Sequence, residues 1–235
     1  RDENTFTPLM RHEAFNPPNS DLLTTIAVVD RMTPEQLSAQ DSNGCTLLHI
    51  AGDHLLPAIL DKVPDTALGI ITSSAKCSRA CCTPLLYRLH SFAETQFRNH
   101  FADDNPQPDG TLLDLVMRMT PHQLARADLF GTTALHLAAH TGHVELLSSL
   151  LSRLGQHSCM ALDKCRCNAL HYAMGLSILP SREQQRSEEV LARLLGALPS
   201  SARYHKDSSG CSPHSKGQTS RFSRFFNPQV KGSIA

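Results

Sequence analysis

One stretch of the chain occurs twice. Residues 32–51 read MTPEQLSAQDSNGCTLLHIA, and residues 119–139 read MTPHQLARADLFGTTALHLAA. The offset of 119 − 32 = 87 residues holds without a gap up to the last Ala of the first copy. Similarity of a chain to itself is typical of proteins built from repeated supersecondary units, which bury their apolar faces against one another. The sequence therefore predicts a stack of similar units.

Both copies contain the pattern Asp-x-x-Gly-x-Thr-x-Leu-His-x-Ala. Asp41 and Asp128 begin the two clear matches, and Asp163 begins a third in which Arg166 and Asn168 stand in the glycine and threonine places. This pattern resembles the ankyrin repeat, a helix-turn-helix unit of about 33 residues with a Thr-Pro-Leu-His signature. The resemblance implies an all-α ankyrin-repeat solenoid of about six imperfect helix-turn-helix units with inserted loops, which begin near residues 2, 41, 78, 128, 163 and 207.

The helices of these units follow from local patterns. Val144, Leu147, Leu151 and Leu154 give an outer helix one apolar face, which only a neighbouring unit can cover. The repeated Met-Thr-Pro places a hydroxyl three residues before a glutamine and a proline at the first turn, which predicts a short capped helix between units. Ser91–Gly110 and Leu176–Arg186 interrupt the pattern, and NHFADDNPQPDG within the first interruption predicts a surface loop.

Two parts of the chain differ in character. Residues 1–214 are expected to form the ankyrin-repeat domain, and residues 215–235 a basic aromatic tail or C-terminal cap. Phe222, Phe225 and Phe226 alternate with basic residues there, a composition that binds membranes, nucleic acid or a protein groove. Packing of the phenylalanines on the last repeat is the favoured interpretation. Because the chain begins with Arg1 within a repeat, we expect it to be a fragment of a longer protein.

Composition narrows the classes of function. Twenty-two basic and 22 acidic residues cancel, so charge gives no reason to expect nucleic acid as a partner. Eight cysteines in a 235-residue chain without an apolar leader favour a reduced, cytosolic protein, and no apolar run reaches the length of a membrane span. Gly-x-Ser-x-Gly and phosphate-loop patterns are absent. We therefore expect no enzymatic activity and no cofactor in this chain.

A zinc site is the metal hypothesis that the cysteines raise. Cys165 and Cys167 with His171 form a Cys-x-Cys-x3-His group, and Cys77, Cys81 and Cys82 lie upstream. These spacings differ from the paired ligands of structural zinc sites, so the favoured interpretation is partly buried thiols and no metal. His49, His136 and His171 occupy the signature position, and we expect them and His143 to be structural.

The expected binding residues lie at turn tips and on the inner helices. Leu129, Phe130 and Thr132 form the tip of the best unit, where exposed apolar side chains suit a protein partner unless the connecting segment covers them. Lys164 and Arg166 form the next tip. Asp53, His54 and His140 are expected to face the concave side.

Two functions remain open at this stage. The first is a protein-recognition module that binds another protein through its concave face and turn tips. The second is the substrate-recruiting domain of a secreted bacterial effector of the ADP-ribosyl-transferring type, with a catalytic domain upstream of Arg1. That second reading would place the chain in a host cytosol, with a host cell-death protease as the partner.

Overall fold

The computed structural model describes residues 22–73, 81–99, 110–175, 184–220 and 222–226. These residues form helices joined by turns, and an isolated bridge between Ala127 and Thr133 is the only β pairing among them. Within the same ranges, we find no helix with the length and apolar character needed to cross a membrane. The first expected repeat, near residue 2, lies outside the described residues.

The helices form two layers. We number the described repeats as units 1 to 5, which begin at residues 41, 72, 128, 163 and 207. The inner helix of each unit follows its turn, and the inner helices span Leu47–Ile50, Pro84–Asn99, Ala134–Thr141, Ala169–Met174 and Pro213–Gln218. The outer layer begins with a helix that precedes unit 1 and contains Leu22–Arg31, Leu56–Leu60, Gly110–Arg118, Val144–Arg153, Gln184–Ala197 and Ser223–Phe226.

Packing joins these helices into one continuous stack. Each inner helix contacts the next inner helix and the outer helix of its own unit, and consecutive outer helices from Leu22–Arg31 to Gln184–Ala197 also contact one another. The buried apolar residues form a single cluster that runs from Val29 to Phe226. Because each hairpin covers the apolar face of its neighbour, the core extends along the stack. The expected all-α ankyrin-repeat solenoid is confirmed.

A single-turn helix follows each outer helix from Leu22–Arg31 to Gln184–Ala197. Two of these turns begin at the repeated Met-Thr-Pro, as Pro34–Leu37 and Pro121–Leu124. The Gln123 N–H donates to Thr120 Oγ1 at 3.3 Å, and the Thr120 N–H donates to Gln123 Oε1 at 2.7 Å. The equivalent bonds are present at Thr33. The predicted short capped helix is therefore confirmed. The other three turns are Asp65–Gly69, Gln156–Cys159 and Ser200–Arg203.

Unit 2 begins earlier than the sequence pattern indicates. The Thr72 N–H donates to the Cys82 carbonyl oxygen and the Cys82 N–H to Thr72 Oγ1, both at 3.0 Å. The same two bonds join Asp41 to Cys45 in unit 1. The expected start near residue 78 is therefore wrong, because Thr72 holds the aspartate position. The inner helix also continues past the expected break at Ser91, up to Asn99, and residues 100–109 lie outside the described part.

The signature histidines connect consecutive units. In unit 3, the Thr133 N–H donates to His136 Nδ1 at 3.1 Å, and His136 Nε2 lies 3.1 Å from the Cys167 carbonyl oxygen of unit 4. Because a backbone N–H donates to Nδ1, Nε2 carries the proton and donates to the carbonyl. His49 and His171 make equivalent contacts to Cys82 and Cys211. Their expected structural role is confirmed.

The C-terminal described residues pack on the last described unit. Phe222 and Phe226 are buried in the common core, and the Phe226 ring lies against Gly217. A Cβ added at Gly217 would fall 2.1 Å from Phe226 Cδ2, so glycine is needed for this close approach. The helix Pro213–Gln218 spans the expected domain boundary at residue 214. Residues 227–235 lie outside the described part.

Candidate functional site

The turn of unit 3 holds its backbone rigidly while exposing two apolar side chains. Asp128 Oδ1 accepts the N–H groups of Phe130 and Thr132, each at 2.8 Å. Gly131 adopts φ 80°, a left-handed conformation that closes the turn. Leu129 is 45% exposed and Phe130 is 54% exposed. The connecting segments described in the structure leave both side chains accessible, as the sequence-based binding hypothesis requires.

Thr132 does not share this exposure. Its relative accessibility is 6%, so the expectation that Thr132 lies on the turn surface is wrong. The residue before the inner-helix cap is a cysteine in the four other units, at positions 45, 82, 167 and 211, and Cys45 and Cys82 are buried as well. The alignment of Thr132 with these cysteines, which are small and tend to be buried, was a sequence signal against a tip position.

The turn of unit 4 lies directly beside that of unit 3. The Lys164 N–H donates to the Phe130 carbonyl oxygen at 2.8 Å, and a Cβ at Gly131 would fall 3.0 Å from Asp163 Cα. Lys164 and Arg166 are exposed, as expected. Leu162, 40% exposed, adds an apolar side chain that the motif search missed because it precedes the aspartate position. Leu129, Phe130, Leu162, Lys164 and Arg166 together form what we call the finger surface.

His140 lies on the last turn of the unit 3 inner helix. The side chain is exposed, and its ring centroid is 6.1 Å from that of Tyr172 in unit 4, in an edge-on arrangement. Desolvation by the atoms around the ring lowers the pKa of His140 below its usual value of 6.5. The lowered pKa favours the neutral imidazole at pH 7.

Asp53 and His54 lie in unit 1, away from the finger surface. The unit 1 inner helix ends at Ile50, so both residues follow the helix in a turn instead of lying on it. Both are exposed, but Asp53 Oδ1 accepts a hydrogen bond from Arg88 Nη1 at 2.6 Å. Unit 2 separates them from unit 3. The eight residues expected to bind a partner therefore do not form one continuous surface.

The Cys-x-Cys-x3-His group considered for zinc does not gather as a metal site among the described residues, and its histidine is engaged in other contacts. His171 accepts the Asn168 N–H at Nδ1, 3.1 Å away, and its Nε2 lies 3.3 Å from the Cys211 carbonyl oxygen. Burial, with a contribution from nearby acidic groups, raises the pKa of the Cys167 thiol to about 11. Cys77 lies outside the described residues. In the described part of the chain, one group places three ligand types together, namely Cys82, His90 and Asp128.

Known proteins share both the repeat and the fold. A family model described as ankyrin repeats (3 copies) matches residues 108–180. An ankyrin repeat domain from Acinetobacter baumannii AYE is 19% identical, with 93% of this chain and 94% of that chain covered at a TM-score of 0.60. EF0377, an ankyrin repeat protein, is 18% identical, with 97% of each chain covered at a TM-score of 0.61.

A third solved structure extends the likeness. The ankyrin repeat domain of Bcl-3, a member of the IkappaB protein family, is 18% identical, with 87% of this chain and 75% of that chain covered at a TM-score of 0.52. No curated protein matches the chain. The identities are too low to transfer a partner, so the structural likeness establishes the ankyrin-repeat fold, and the family match confirms the repeat itself in residues 108–180.

Proposed function

We propose that this ankyrin-repeat solenoid recognises another protein through the finger surface, with His140 contributing from the inner face. The observation that carries the proposal is the exposure of Leu129 and Phe130, side by side, on a turn of fixed backbone. Ankyrin stacks generally serve as protein-interaction modules, and exposed aromatic side chains are enriched among residues that dominate binding energy. Binding, not catalysis, is the activity that this geometry supports.

Rigidity of the turn favours Phe130 as an anchor. Its own N–H is held by Asp128 and its carbonyl oxygen by Lys164 of the next unit. A side chain presented by a preformed turn loses little further backbone entropy when a partner binds. Burial of such an aromatic residue in a partner's pocket contributes on the order of 2 kcal/mol or more in many interfaces.

The charges around the anchor favour an acidic partner. Lys164 and Arg166 are exposed on the unit 4 turn, and Lys206 is exposed just before the unit 5 turn. Lys164 and Arg166 belong to the turn that lies beside Phe130, so positive charge is carried next to the exposed apolar side chains. An acidic protein segment carrying one large apolar side chain would complement both features, and its association rate would fall as salt increases.

The remaining sequence-based hypotheses stay predictions. Asp53 and His54 would require a partner long enough to extend from unit 3 past unit 2. A substrate-recruiting role for an effector enzyme would use the same finger surface, with the acidic partner as its substrate. The two functions share their first experiment, because both need the finger surface to bind a protein.

The proposal is tested by affinity capture with the full chain as bait, followed by binding measurements with the purified captured protein. We expect the double variant Leu129→Ala, Phe130→Ala to lose the partner while its circular dichroism and melting temperature stay unchanged. Lys164→Glu with Arg166→Glu should weaken binding at low salt, because the positive rim is reversed.

Met117→Ala is the matched control, since Met117 is an exposed apolar residue, 61% accessible, on the outer helix Gly110–Arg118. This variant should retain the partner. Equal recovery of the captured protein by the wild type and the Leu129 and Phe130 double variant, with both folded, would exclude the finger surface.

A further inference from the structure

The turns that begin units 3, 4 and 5 share a polar feature. At the start of each turn an aspartate uses Oδ1 to hold backbone N–H groups of its own turn. Its Oδ2 meets a side-chain donor at 2.9 Å, and the donor differs from one turn to the next. His90 of unit 2 reaches across to Asp128 of unit 3, whereas Tyr172 and Lys216 donate to Asp163 and Asp207 of their own units.

The residue before each inner-helix cap completes these clusters. Cys82 accompanies His90 and Asp128 at the interface of units 2 and 3, and a thiolate, an imidazole and a carboxylate are all ligands of zinc-class metals. The next interface has Thr132 with Tyr172, and the following one has Cys167 beside the ammonium group of Lys216. Among these three equivalent places, the first is the one without a competing cation or a non-ligand hydroxyl.

We propose that Cys82, His90 and Asp128 bind one divalent transition-metal ion of the zinc class. The ligand atoms of the three residues all lie within 4.8 Å of one another. Tetrahedral zinc with bonds of about 2.0–2.3 Å separates its ligands by roughly 3.3–3.8 Å. Movements of about 1 Å or less would therefore bring the three groups to coordination distance.

The three protein ligands leave room for a water molecule as the fourth ligand of the ion. The side chain of His90 is 24% exposed, and that of Asp128 is 2% exposed. Cys82 is fully buried, so the thiolate and the carboxylate line the closed side of the site. Water reaches the ion past His90 and supplies the fourth ligand, the arrangement that three protein ligands leave open in zinc proteins.

Hydrogen-bond donors converge on the Asp128 carboxylate, from His90 and from the N–H groups of Phe130 and Thr132. Binding replaces the hydrogen bond between His90 and Asp128 with two metal bonds and releases the thiol proton of Cys82, so affinity falls as pH falls.

The ion would link two units. Cys82 and His90 belong to unit 2, whereas Asp128 begins unit 3. A ligand that binds the folded stack and not the unfolded chain raises the stability of the stack. The consequence is a metal-dependent strengthening of the interface where the long inner helix of unit 2 meets the regular repeats.

The test is a titration of the reduced, metal-free full chain with Co²⁺, followed by displacement with Zn²⁺. We expect one equivalent of Co²⁺ to bind with a thiolate-to-cobalt absorption band, and Zn²⁺ to raise the melting temperature. Cys82→Ser should abolish the band, and His90→Gln should weaken binding at least about 10-fold. His90 is partly exposed, so its variant remains informative if Cys82→Ser fails to fold.

Equivalent residues of the later units provide the controls. Cys167→Ser and His140→Gln occupy the same places in their repeats and should leave Co²⁺ binding unchanged. Absence of a stoichiometric band, an unchanged affinity in folded His90→Gln, or loss of the band in Cys167→Ser would overturn the proposal. The finger-surface variants keep all three ligands, so failure of partner capture leaves the metal result unaffected.

Discussion

At the scale of single residues, one position in each turn has a left-handed backbone. Glycine adopts this backbone without strain, and three of the five described units have glycine there. Gly44, Gly131 and Gly210 adopt φ between 76° and 80° in units 1, 3 and 5. Cys81 and Arg166 occupy the same position in units 2 and 4 with φ of 65° and 60°. A side chain with a Cβ is strained there, so these two units carry a local cost that the glycine units avoid.

Arg166→Gly is expected to stabilise the fold by roughly 1 kcal/mol, because relief of left-handed strain exceeds the added entropy of glycine in the unfolded chain. Urea unfolding of both proteins measures the change. Gly210→Ala is the matched opposite, since φ is +78° there and an added Cβ would meet nothing within 4 Å. Gly210→Ala should lower the free energy of unfolding by a similar amount. If Arg166→Gly and the wild type were equally stable, the left-handed backbone at Arg166 would not be strained.

At the scale of elements, unit 1 has a short inner helix that a side chain from unit 2 supports. Leu47–Ile50 spans one turn, whereas the equivalent helix of unit 3 spans Ala134–Thr141. Arg88 stands where unit 3 has the small Ala138, and it reaches back into unit 1. Its Nε donates to the Leu48 carbonyl oxygen at 3.0 Å, and its Nη2 bonds to that of Ala51. The guanidinium thereby satisfies carbonyl groups that a longer helix would bond internally.

Arg88→Met is expected to lower the free energy of unfolding by about 2–4 kcal/mol, because it leaves buried carbonyl groups without their charged donor. Chemical denaturation measures the loss, and Arg88→Lys should recover part of it by reaching one carbonyl. The control is Arg193→Met, whose side chain is 44% exposed and pairs with Glu189 on the surface. Its effect should stay within about 0.5 kcal/mol. A similar loss in both methionine variants would contradict the buried role of Arg88.

At the scale of the whole molecule, neutral histidines join the units into one cooperative body. His49, His136 and His171 each accept a backbone N–H within their unit and contact a carbonyl of the next unit. Burial lowers the pKa of all three, to about 4 for His49. A second proton would sit at Nδ1, facing the N–H that now donates to it. Acid is therefore expected to weaken several interfaces together.

Stability should fall as pH falls from about 6.5 toward 4, because a group with a lowered folded pKa binds fewer protons when folded than when unfolded. Above this window the contribution of His49 is fully present, and below about 4 it decreases no further. Between pH 7 and pH 5, His49 alone should lower the free energy of unfolding by about 2 kcal/mol. Urea unfolding at several pH values measures this slope, which His49→Gln should reduce. A wild-type stability that stays constant between pH 7 and pH 5 would contradict the expectation.

Much of the fold could be predicted from the sequence, because its turns and helix caps depend on residues that are close together in the chain. Thr33 and Thr120 with their glutamines indicated short capped helices, and the Asp-x-x-Gly turns indicated where units begin, since both depend on residues only a few positions apart. Thr72 was missed because the unit 2 turn spans 81 − 72 = 9 residues to its left-handed position, against 44 − 41 = 3 in unit 1. Thr132 was misplaced because burial depends on the neighbouring units.

By itself the sequence determined the repeated hairpin, its turn and the histidine that bonds to the next unit, because each is encoded within one unit and written several times. Only the tertiary structure decided which units lie side by side at a given surface. It brought Leu162 next to Phe130, separated Asp53 from His140, and placed Cys82 and His90 against Asp128, 38 residues beyond His90 in the chain. Contacts between units depend on the insertions within them, and no periodicity in the sequence records how an inserted segment packs.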